Sequence, residues 1–131
     1  MNHEANDIKS RDDIIRILTF FYEKVFADEL IGHFFTTVIP LDLDTHIPVI
    51  ADFWETIVLD HRKYSKNVMQ IHQHIHSLSA IRKEHLDRWV KLFTETVDQN
   101  FEGNNATLMK QRARSIATLM EMKLQAINYK P

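Results

Sequence analysis

The sequence predicts a single all-α domain, and three observations support this fold class. Glycine occurs only twice and proline three times in 131 residues, so the chain has few of the residues that mark turns. Apolar residues recur at intervals of three and four along most of the chain, as on the buried face of a helix. No segment alternates apolar and polar residues in the manner of a strand. We therefore expect four main helices and one or two short ones.

The chain is long enough for one domain with a core, which we assign to residues 10–131, preceded by a flexible tail over residues 1–9. Hydrophobic residues make up 44% and charged residues 26%, the balance of an ordinary soluble domain. The tail is polar and no apolar run approaches the ~20 residues of a membrane span, so we expect a cytoplasmic location and no membrane partner. The net charge is −2 without a basic cluster, which disfavours a nucleic-acid partner.

The first helix is predicted to begin at Ser10, because Ser10 and Asp13 have the spacing of a capping box. Its buried face is predicted to consist of Ile14, Leu18, Phe21, Tyr22 and Val25. A short segment over residues 30–35 then turns the chain, and Pro40 closes the connection.

A second long helix is predicted over residues 44–59. The residues that share its apolar face are His46, Ile50, Phe53, Trp54 and Ile57. Pro48 must lie in its first turn or kink it, since proline has no N–H for the helix interior. A shorter helix over residues 64–76 carries Val68, Ile71, His72 and Ile75 on its apolar face.

Two further amphipathic helices complete the chain. The first ends at Gly103, and its apolar face is Leu86, Trp89, Val90, Phe93, Val97 and Phe101. Asn105 is the predicted N-cap of the last helix. The buried stripe of that helix is Met109, Ala113, Ile116, Ala117, Met120, Leu124 and Ile127. We interpret Met69, Met109, Met120 and Met122 as core residues and not as a ligand set.

The histidines are the candidate ligands of this chain. It has eight of them and no cysteine, which excludes thiolate zinc sites, iron–sulfur clusters and a covalent thioether haem. His46 and His72 lie on apolar helix faces beside aromatic residues. A single histidine in such a position is usually a hydrogen-bonded core residue. Two on separate helices suit a haem pocket, with an imidazole on one side of the iron and a polar residue on the other.

Two alternatives remain open at this point. His72 and His76 are one helical turn apart, and with His74 or Asp60 they could bind zinc or copper in a non-haem metal-binding helical protein. The chain could also be an interaction module that uses its last helix as a partner surface. His33, His61 and His85 are interpreted as surface or capping residues.

The order of residues along positions 10–127 carries a family resemblance. It comprises Phe21-Tyr22-Glu23-Lys24-Val25, Asp28, Gly32, Phe35, His46, residues 50–54, Tyr64, Met69-Gln70-Ile71-His72, residues 85–93 and Phe101-Glu102-Gly103. This series resembles the group III truncated haemoglobins. One departure is that Lys66 and Val68 stand where the family often has glycine and proline before the proximal histidine. His76, and more weakly His74, therefore compete with His72 as iron ligand.

The resemblance implies a truncated globin fold, a two-over-two helical sandwich around haem b. It implies that His72 binds the iron and that Tyr22, His46 and Trp89 surround the bound ligand. The residues that it places against the haem are Phe35, Ile50, Phe53, Trp54, Tyr64, Met69, His76 and Phe93. Candidates for holding the haem propionates, by position only, are Arg62, Lys63, Tyr64, Lys66 and Arg82.

The resemblance also implies a diatomic gas or peroxide as the ligand and an unidentified reductase as a partner. Tyr22 and Trp89 can both donate a hydrogen bond to a bound ligand. His46 could be a third donor, a gate or a direct second iron ligand. Several donors slow the release of a ligand, which favours redox chemistry or detoxification of oxygen, nitric oxide or peroxide over bulk oxygen transport. A monomer or weak dimer is expected, and the sequence leaves open whether the chain is an enzyme.

Overall fold

The computed structural model describes residues 6–38, 42–59 and 81–128, with the side chains of residue 38 and residues 124–128 excepted. Every regular element in these ranges is helical. They are helix α1 (Arg11–Ala27), a short π-helical turn (Phe34–Val38), and helices α2 (Leu43–Val58), α3 (Lys83–Asn100) and α4 (Asn104–Asn128). The all-α class predicted from the sequence is confirmed. The predicted helix over residues 64–76 and Pro40 lie outside the described residues.

The four long helices form two packed pairs. Helix α1 packs against α2, and α3 packs against α4. The pairs lie on one another because α1 also contacts α3 and α2 contacts α4. Phe21 of α1 and Phe93 of α3 are almost completely buried where the pairs meet, with ring centroids 5.1 Å apart. The fold is therefore a two-over-two sandwich whose core lies between the pairs.

Helix α1 agrees closely with its prediction. The backbone N–H of Asp13 donates to Oγ of Ser10 at 3.3 Å, so Ser10 is the N-cap. All five residues of the predicted apolar face are buried, and Ile17 is buried with them. A regular apolar stripe fixes which side of a helix faces the core, so this local pattern is sufficient to orient Tyr22 inward.

Helix α2 shows two features that its pattern did not fix. Pro48 lies inside the helix, in its second turn, so of the two predicted alternatives the first turn is wrong and a kink stays a prediction. The carbonyl oxygen of Pro48 accepts a hydrogen bond from Nη2 of Arg11 at 3.1 Å. Glu55 is only 1% exposed, although it does not belong to the predicted apolar face. The guanidinium of Arg11 accounts for this, since Nη1 lies 2.5 Å from Oε1 of Glu55 and 2.6 Å from Oδ1 of Asp52.

The start of α4 corrects the predicted N-cap. The helix begins at Asn104, so Asn105 is its second residue. The carboxylate of Asp7 accepts hydrogen bonds from the backbone N–H groups of Asn105 and Ala106, each at 2.9 Å. A side chain 98 residues away in sequence thus satisfies the free N–H groups of the helix start. Gly103 permits this approach, because its φ is +141° and a Cβ there would lie 2.5 Å from Cγ of Asp7.

Part of the predicted tail is packed against the domain. Ile8 is completely buried, and the backbone N–H of Glu102 donates to the carbonyl of Asn6 at 3.0 Å. The prediction for the methionines needs one correction as well. Met109 and Met120 are buried as expected, but Met122 is 62% exposed because it lies on the outer face of α4.

Candidate functional site

A hydrogen bond joins two of the predicted site residues. Oη of Tyr22, on α1, lies 2.7 Å from Nε2 of His46, in the first turn of α2. The two rings meet edge to face, with their centroids 5.2 Å apart. Tyr22 is buried and His46 is half-buried. The pair places a phenol and an imidazole at one point of the joint between α1 and α2.

The protonation of Nε2 of His46 sets the direction of this hydrogen bond. Burial raises the pKa of its phenol, so the hydroxyl stays protonated at neutral pH. When Nε2 of His46 carries no proton, Tyr22 donates to it. When Nε2 is protonated, His46 donates to the phenol oxygen. In the first case another acceptor can take the Tyr22 hydrogen only by displacing His46. In the second case the phenol hydrogen stays available to another acceptor.

Aromatic rings surround this pair. The Tyr22 ring centroid lies 5.1 Å from that of Phe21 and 6.3 Å from that of Phe35, which belongs to the π-helical turn. Phe21 contacts Trp89 of α3 on its other side, at 5.9 Å in an edge-to-face arrangement. The ring of Phe21 therefore contacts both Tyr22 and Trp89. The Trp89 side chain is half-buried, and its one polar group is the indole N–H.

A row of stacked rings extends from Trp89 into the core. Trp89 stacks on Phe93 with centroids 5.6 Å apart, and Phe93 stacks on Trp54 of α2 at 5.2 Å. Trp54 and Phe93 are both buried. The predicted site residues Trp89, Phe93 and Trp54 thus form one continuous aromatic layer from α3 to α2.

An apolar pocket opens beside this layer. It lies between the segment after α1 and the start of α3 and is half open, so its roughly 390 Å³ of empty space includes open solvent. Its lining residues are Ile31, Phe34, Phe35, Ile81, His85, Leu86, Trp89 and Met120. Phe35 and Trp89 connect the pocket to the surroundings of Tyr22, since Phe35 contacts Tyr22 directly and Trp89 contacts it through Phe21. The pocket therefore lies next to the Tyr22–His46 pair, with Phe35 in contact with both.

The carboxylate of Asp28 ties two walls of the pocket together. Its Oδ2 accepts hydrogen bonds from the backbone N–H groups of Leu30 and Ile31, at 3.0 and 3.1 Å. Its Oδ1 lies 2.7 Å from Nε of Arg88, the neighbour of Trp89 on α3. Burial alone would raise the pKa of Asp28, but the hydrogen bonds from Arg88, Ile31 and Leu30 outweigh it and lower the pKa.

The residues that are predicted to contact the haem differ in how deeply they are buried. Ile50 is buried together with Trp54 and Phe93, whereas Phe53 and Phe35 are half-buried. Phe53 packs edge to face on Trp54 at 5.2 Å. The roles of these residues toward a cofactor stay predictions.

The predicted metal ligands are not among the residues that the structure describes. His72, His74 and His76 lie outside them, as do Tyr64, Met69, Asp60, Arg62, Lys63 and Lys66. Within residues 6–38, 42–59 and 81–128, no three histidine, cysteine, aspartate or glutamate side chains are grouped to hold a metal ion. The assignment of His72 and its rivals therefore still rests on the sequence.

Some residues of the site were not predicted. Ile31 and Met120 line the pocket, and His85 does so as well as capping α3. The capping role of His85 was one of its two expected interpretations and is confirmed. Met120 belongs to the predicted stripe of α4, but periodicity alone does not distinguish a residue that fills the core from one that faces a pocket.

Two comparisons with known proteins point to the same group of proteins. No family model matches the chain. The chain is 27% identical over 112 residues to the group 3 truncated haemoglobin Ctb of Campylobacter jejuni, which covers 83% of this chain and 86% of the relative. The crystal structure of the group III truncated haemoglobin from Campylobacter jejuni superposes with a TM-score of 0.80 and 23% identity, over 97% of this chain and 100% of that one. The predicted resemblance and the predicted truncated globin fold are confirmed.

The length and apolar character of each helix decide whether it could cross a membrane. Among the residues that the structure describes, none of the helices combines the length and the apolar character needed to cross a membrane.

Proposed function

We propose that this chain, which has the truncated globin fold and resembles the group III truncated haemoglobins, is a haem-binding globin that holds a diatomic ligand near Tyr22 and His46. The observation that carries this proposal is the 2.7 Å contact between the two polar side chains, next to an apolar pocket. The relatives named above are haemoglobins, and their fold extends over almost the whole of this chain.

The described residues fit a haem group. Every residue that lines the pocket is aliphatic or aromatic apart from His85, as the flat apolar faces of a porphyrin require. When bound, haem would supply an iron atom that binds a diatomic gas. Tyr22 and His46 provide polar groups for such a ligand. Haem b is the type proposed, because a chain without cysteine cannot form thioether links.

His72 is the proposed iron ligand, on the resemblance alone. An imidazole that binds iron through one nitrogen commonly donates from the other to a carbonyl or carboxylate, which fixes its tautomer. His76 and His74 are the alternatives on the same segment. A non-haem zinc or copper site at these three histidines is less well supported, since both comparisons favour a globin.

Hydrogen-bond donors near the bound ligand would slow its release. Tyr22, with its raised pKa, is a permanent hydrogen-bond donor at neutral pH, and the indole of Trp89 is a second donor. A net hydrogen bond is worth about 1 kcal/mol, and every 1.4 kcal/mol changes an equilibrium or a release rate roughly tenfold. Slow release favours redox chemistry or detoxification over transport. A reductase partner, a monomeric or weakly dimeric state and a cytoplasmic setting belong to the same proposal.

The Tyr22–His46 bond gives His46 a defined part in binding. In the tautomer whose Nε2 carries no proton, a ligand that takes the Tyr22 hydrogen must first displace Nε2 of His46 as its acceptor. His46 is half-buried and lies in the first turn of α2, where an outward movement does not require the buried end of the helix to shift. We assign to His46 the role of a competitor that holds the Tyr22 hydroxyl in place while no ligand is bound.

Visible spectroscopy tests the proposal directly. The chain is purified with haem available, and spectra are recorded in the ferric, ferrous and carbon monoxide-treated states for the wild type, His72→Ala, His74→Ala and His76→Ala. We expect a strong Soret band that shifts with carbon monoxide and is lost or altered only in His72→Ala. A band altered in His76→Ala or His74→Ala instead would move the iron ligand to that residue. The absence of a Soret band under every loading condition would refute the globin function.

A further inference from the structure

His85 is the polar side chain in the apolar pocket, and a backbone hydrogen bond fixes its state. It is the third residue of α3, and its Nδ1 accepts a hydrogen bond from the backbone N–H of Arg82 at 2.8 Å. Its ring packs edge to face on Phe34, another pocket residue, with centroids 5.0 Å apart. The imidazole is therefore held from two sides and cannot rotate without losing the helix cap.

The cap determines which nitrogen of His85 carries the proton. Nδ1 uses its lone pair to accept the Arg82 hydrogen, so a neutral ring must carry its own proton on Nε2. Burial lowers the pKa of His85, which favours this neutral form at neutral pH. In this tautomer Nε2 is a hydrogen-bond donor. It has no free lone pair for a metal, so the cap excludes His85 as an iron ligand.

The position of His85 suits the edge of a ligand. The remaining pocket residues are Ile31, Phe34, Phe35, Ile81, Leu86, Trp89 and Met120, which accommodate an apolar body. His85 itself is half-buried, and its neighbours Arg82 and His33 are exposed, so this side of the pocket meets solvent. An N–H donor at the solvent side of an apolar pocket is complementary to a ligand with an acceptor at its rim. The charges of Arg82 and Glu84 near His85 oppose one another, so the preference for an anionic acceptor rests on the stronger hydrogen bond that a carboxylate accepts.

We propose that Nε2–H of His85 donates a hydrogen bond to a carboxylate on the ligand that fills this pocket, and that in the haem-loaded protein this carboxylate is a propionate. The identification with haem rests on the proposed function. The same recognition chemistry would serve a free apolar carboxylic acid, which is the other source of such a group. His85 thereby joins Arg82 as an anchor for the acidic edge of the ligand, in place of a role as surface residue.

The test compares haem with haem dimethyl ester, which has the same ring without free carboxylates. Binding to the haem-free protein is followed by quenching of tryptophan fluorescence and by the Soret band. The measured quantity is the ratio of the two dissociation constants, ester over haem. We expect this ratio to be roughly tenfold larger in the wild type than in His85→Phe, as for one hydrogen bond to a charged group.

Two further variants separate the hydrogen bond from the helix cap. Glutamate and glutamine are the usual partners at this position of a capping box, so both can accept the Arg82 N–H. His85→Gln retains an N–H donor and is expected to keep the wild-type ratio. His85→Glu keeps the cap but presents a carboxylate, and its ratio is expected to fall at least as far as that of His85→Phe. His33→Phe is the matched control, since His33 contacts the same Phe34 ring, at 4.1 Å, but is exposed and lines no part of the pocket.

The outcomes distinguish this proposal from the globin function. Equal ratios in the wild type, His85→Phe and His85→Glu would overturn the assignment of His85 while leaving haem binding intact. If the wild type binds neither haem nor its ester, dodecanoic acid and dodecanol are compared as displacers of a fluorescent apolar dye. If the wild type binds dodecanoic acid more tightly than dodecanol and His85→Glu does not, the carboxylate site is supported, with a free acid as its ligand. If the wild type binds the two equally, the carboxylate site is overturned.

Discussion

Oη of Tyr22 and Nε2 of His46 lie 2.7 Å apart, although the two residues are 24 positions apart in the sequence. Tyr22 is fixed by the buried face of α1, whereas His46 stands at the exposed beginning of α2. The hydrogen bond therefore joins a rigid donor to a more accessible partner. This asymmetry predicts that substitutions of the two residues have different effects on ligand binding.

Substitution of Tyr22 by phenylalanine should accelerate ligand release. The variant keeps the ring and its aromatic contacts but removes the hydroxyl, so a bound diatomic ligand loses about 1 kcal/mol or somewhat more of stabilisation. We expect a dissociation rate several-fold to tenfold higher, measured by stopped-flow displacement on the haem-loaded protein.

Thr19→Val is the matched control for this change. It removes a hydroxyl from the same helix, one that bonds only to the carbonyl of Ile15 at 2.8 Å. Its release rate should equal that of the wild type. An unchanged rate in Tyr22→Phe would remove Tyr22 from the ligand side of the site.

His46→Leu should instead speed ligand association, because the competitor for the Tyr22 hydroxyl is gone.

Removal of the Arg11 guanidinium should destabilise the fold. Arg11→Leu leaves Glu55, a carboxylate that is 1% exposed, without the cation 2.5 Å from its oxygen. Breaking a buried ion pair from one side costs 3–5 kcal/mol, and about 3 kcal/mol is expected here because Arg11 is 31% exposed. The measurement is the free energy of unfolding in urea. Lys83→Ala, which breaks the exposed pair with Asp87, should leave the midpoint unchanged.

Asp28 should make the stability of the fold depend on pH in the acid range. Its pKa in the folded protein lies below the ordinary value of 3.8, so the unfolded chain binds the proton more readily. Its contribution is complete above about pH 5 and is lost as the pH falls through 3.8 toward the folded pKa. Asp28→Asn should therefore be less stable than the wild type at pH 7, with a smaller difference at pH 3.

Urea unfolding at pH 7, 5, 4 and 3 measures this effect. Asp12→Asn is the control, since Asp12 is an exposed aspartate in the first turn of α1. A difference between Asp28→Asn and the wild type that stays constant from pH 7 to pH 3 would contradict the assigned pKa direction. Because Asp28 ties Ile31 to the helix of Trp89, Asp28→Asn should also weaken haem binding.

Removal of the Asp7 carboxylate should loosen the start of α4. Asp7→Ala leaves the N–H groups of Asn105 and Ala106 without their acceptor, and loss of such a cap costs about 0.5–2 kcal/mol. Hydrogen exchange at Asn105 and Ala106 should become faster, while exchange in the middle of α3 should follow only the global change. Equal acceleration along α3 and α4 would mean that Asp7 supports the fold as a whole and not this helix end.

The positions of the helices follow from short patterns in the sequence. Ser10, spaced three residues from Asp13, predicted the start of α1 because capping depends only on neighbouring backbone groups. Met109 and Phe93 were predicted to be buried because their neighbours repeat every three or four residues. Trp89 illustrates the limit, since periodicity placed it on the inner face without showing that it stacks on Phe93 and borders a pocket.

The sequence by itself determined the all-α class and the inward face of α1, because helical periodicity is a property of the linear chain. It also predicted Tyr22, His46 and Trp89 as site residues, from the order of a family's residues. Only the tertiary structure decided the contacts between distant segments. The Asp7 cap spans 98 residues, and the buried Glu55 pairs with Arg11, 44 residues before it. The same holds for the tautomer of His85 at the wall of the pocket. Such contacts depend on the distances between packed helices, which no local pattern of residues encodes.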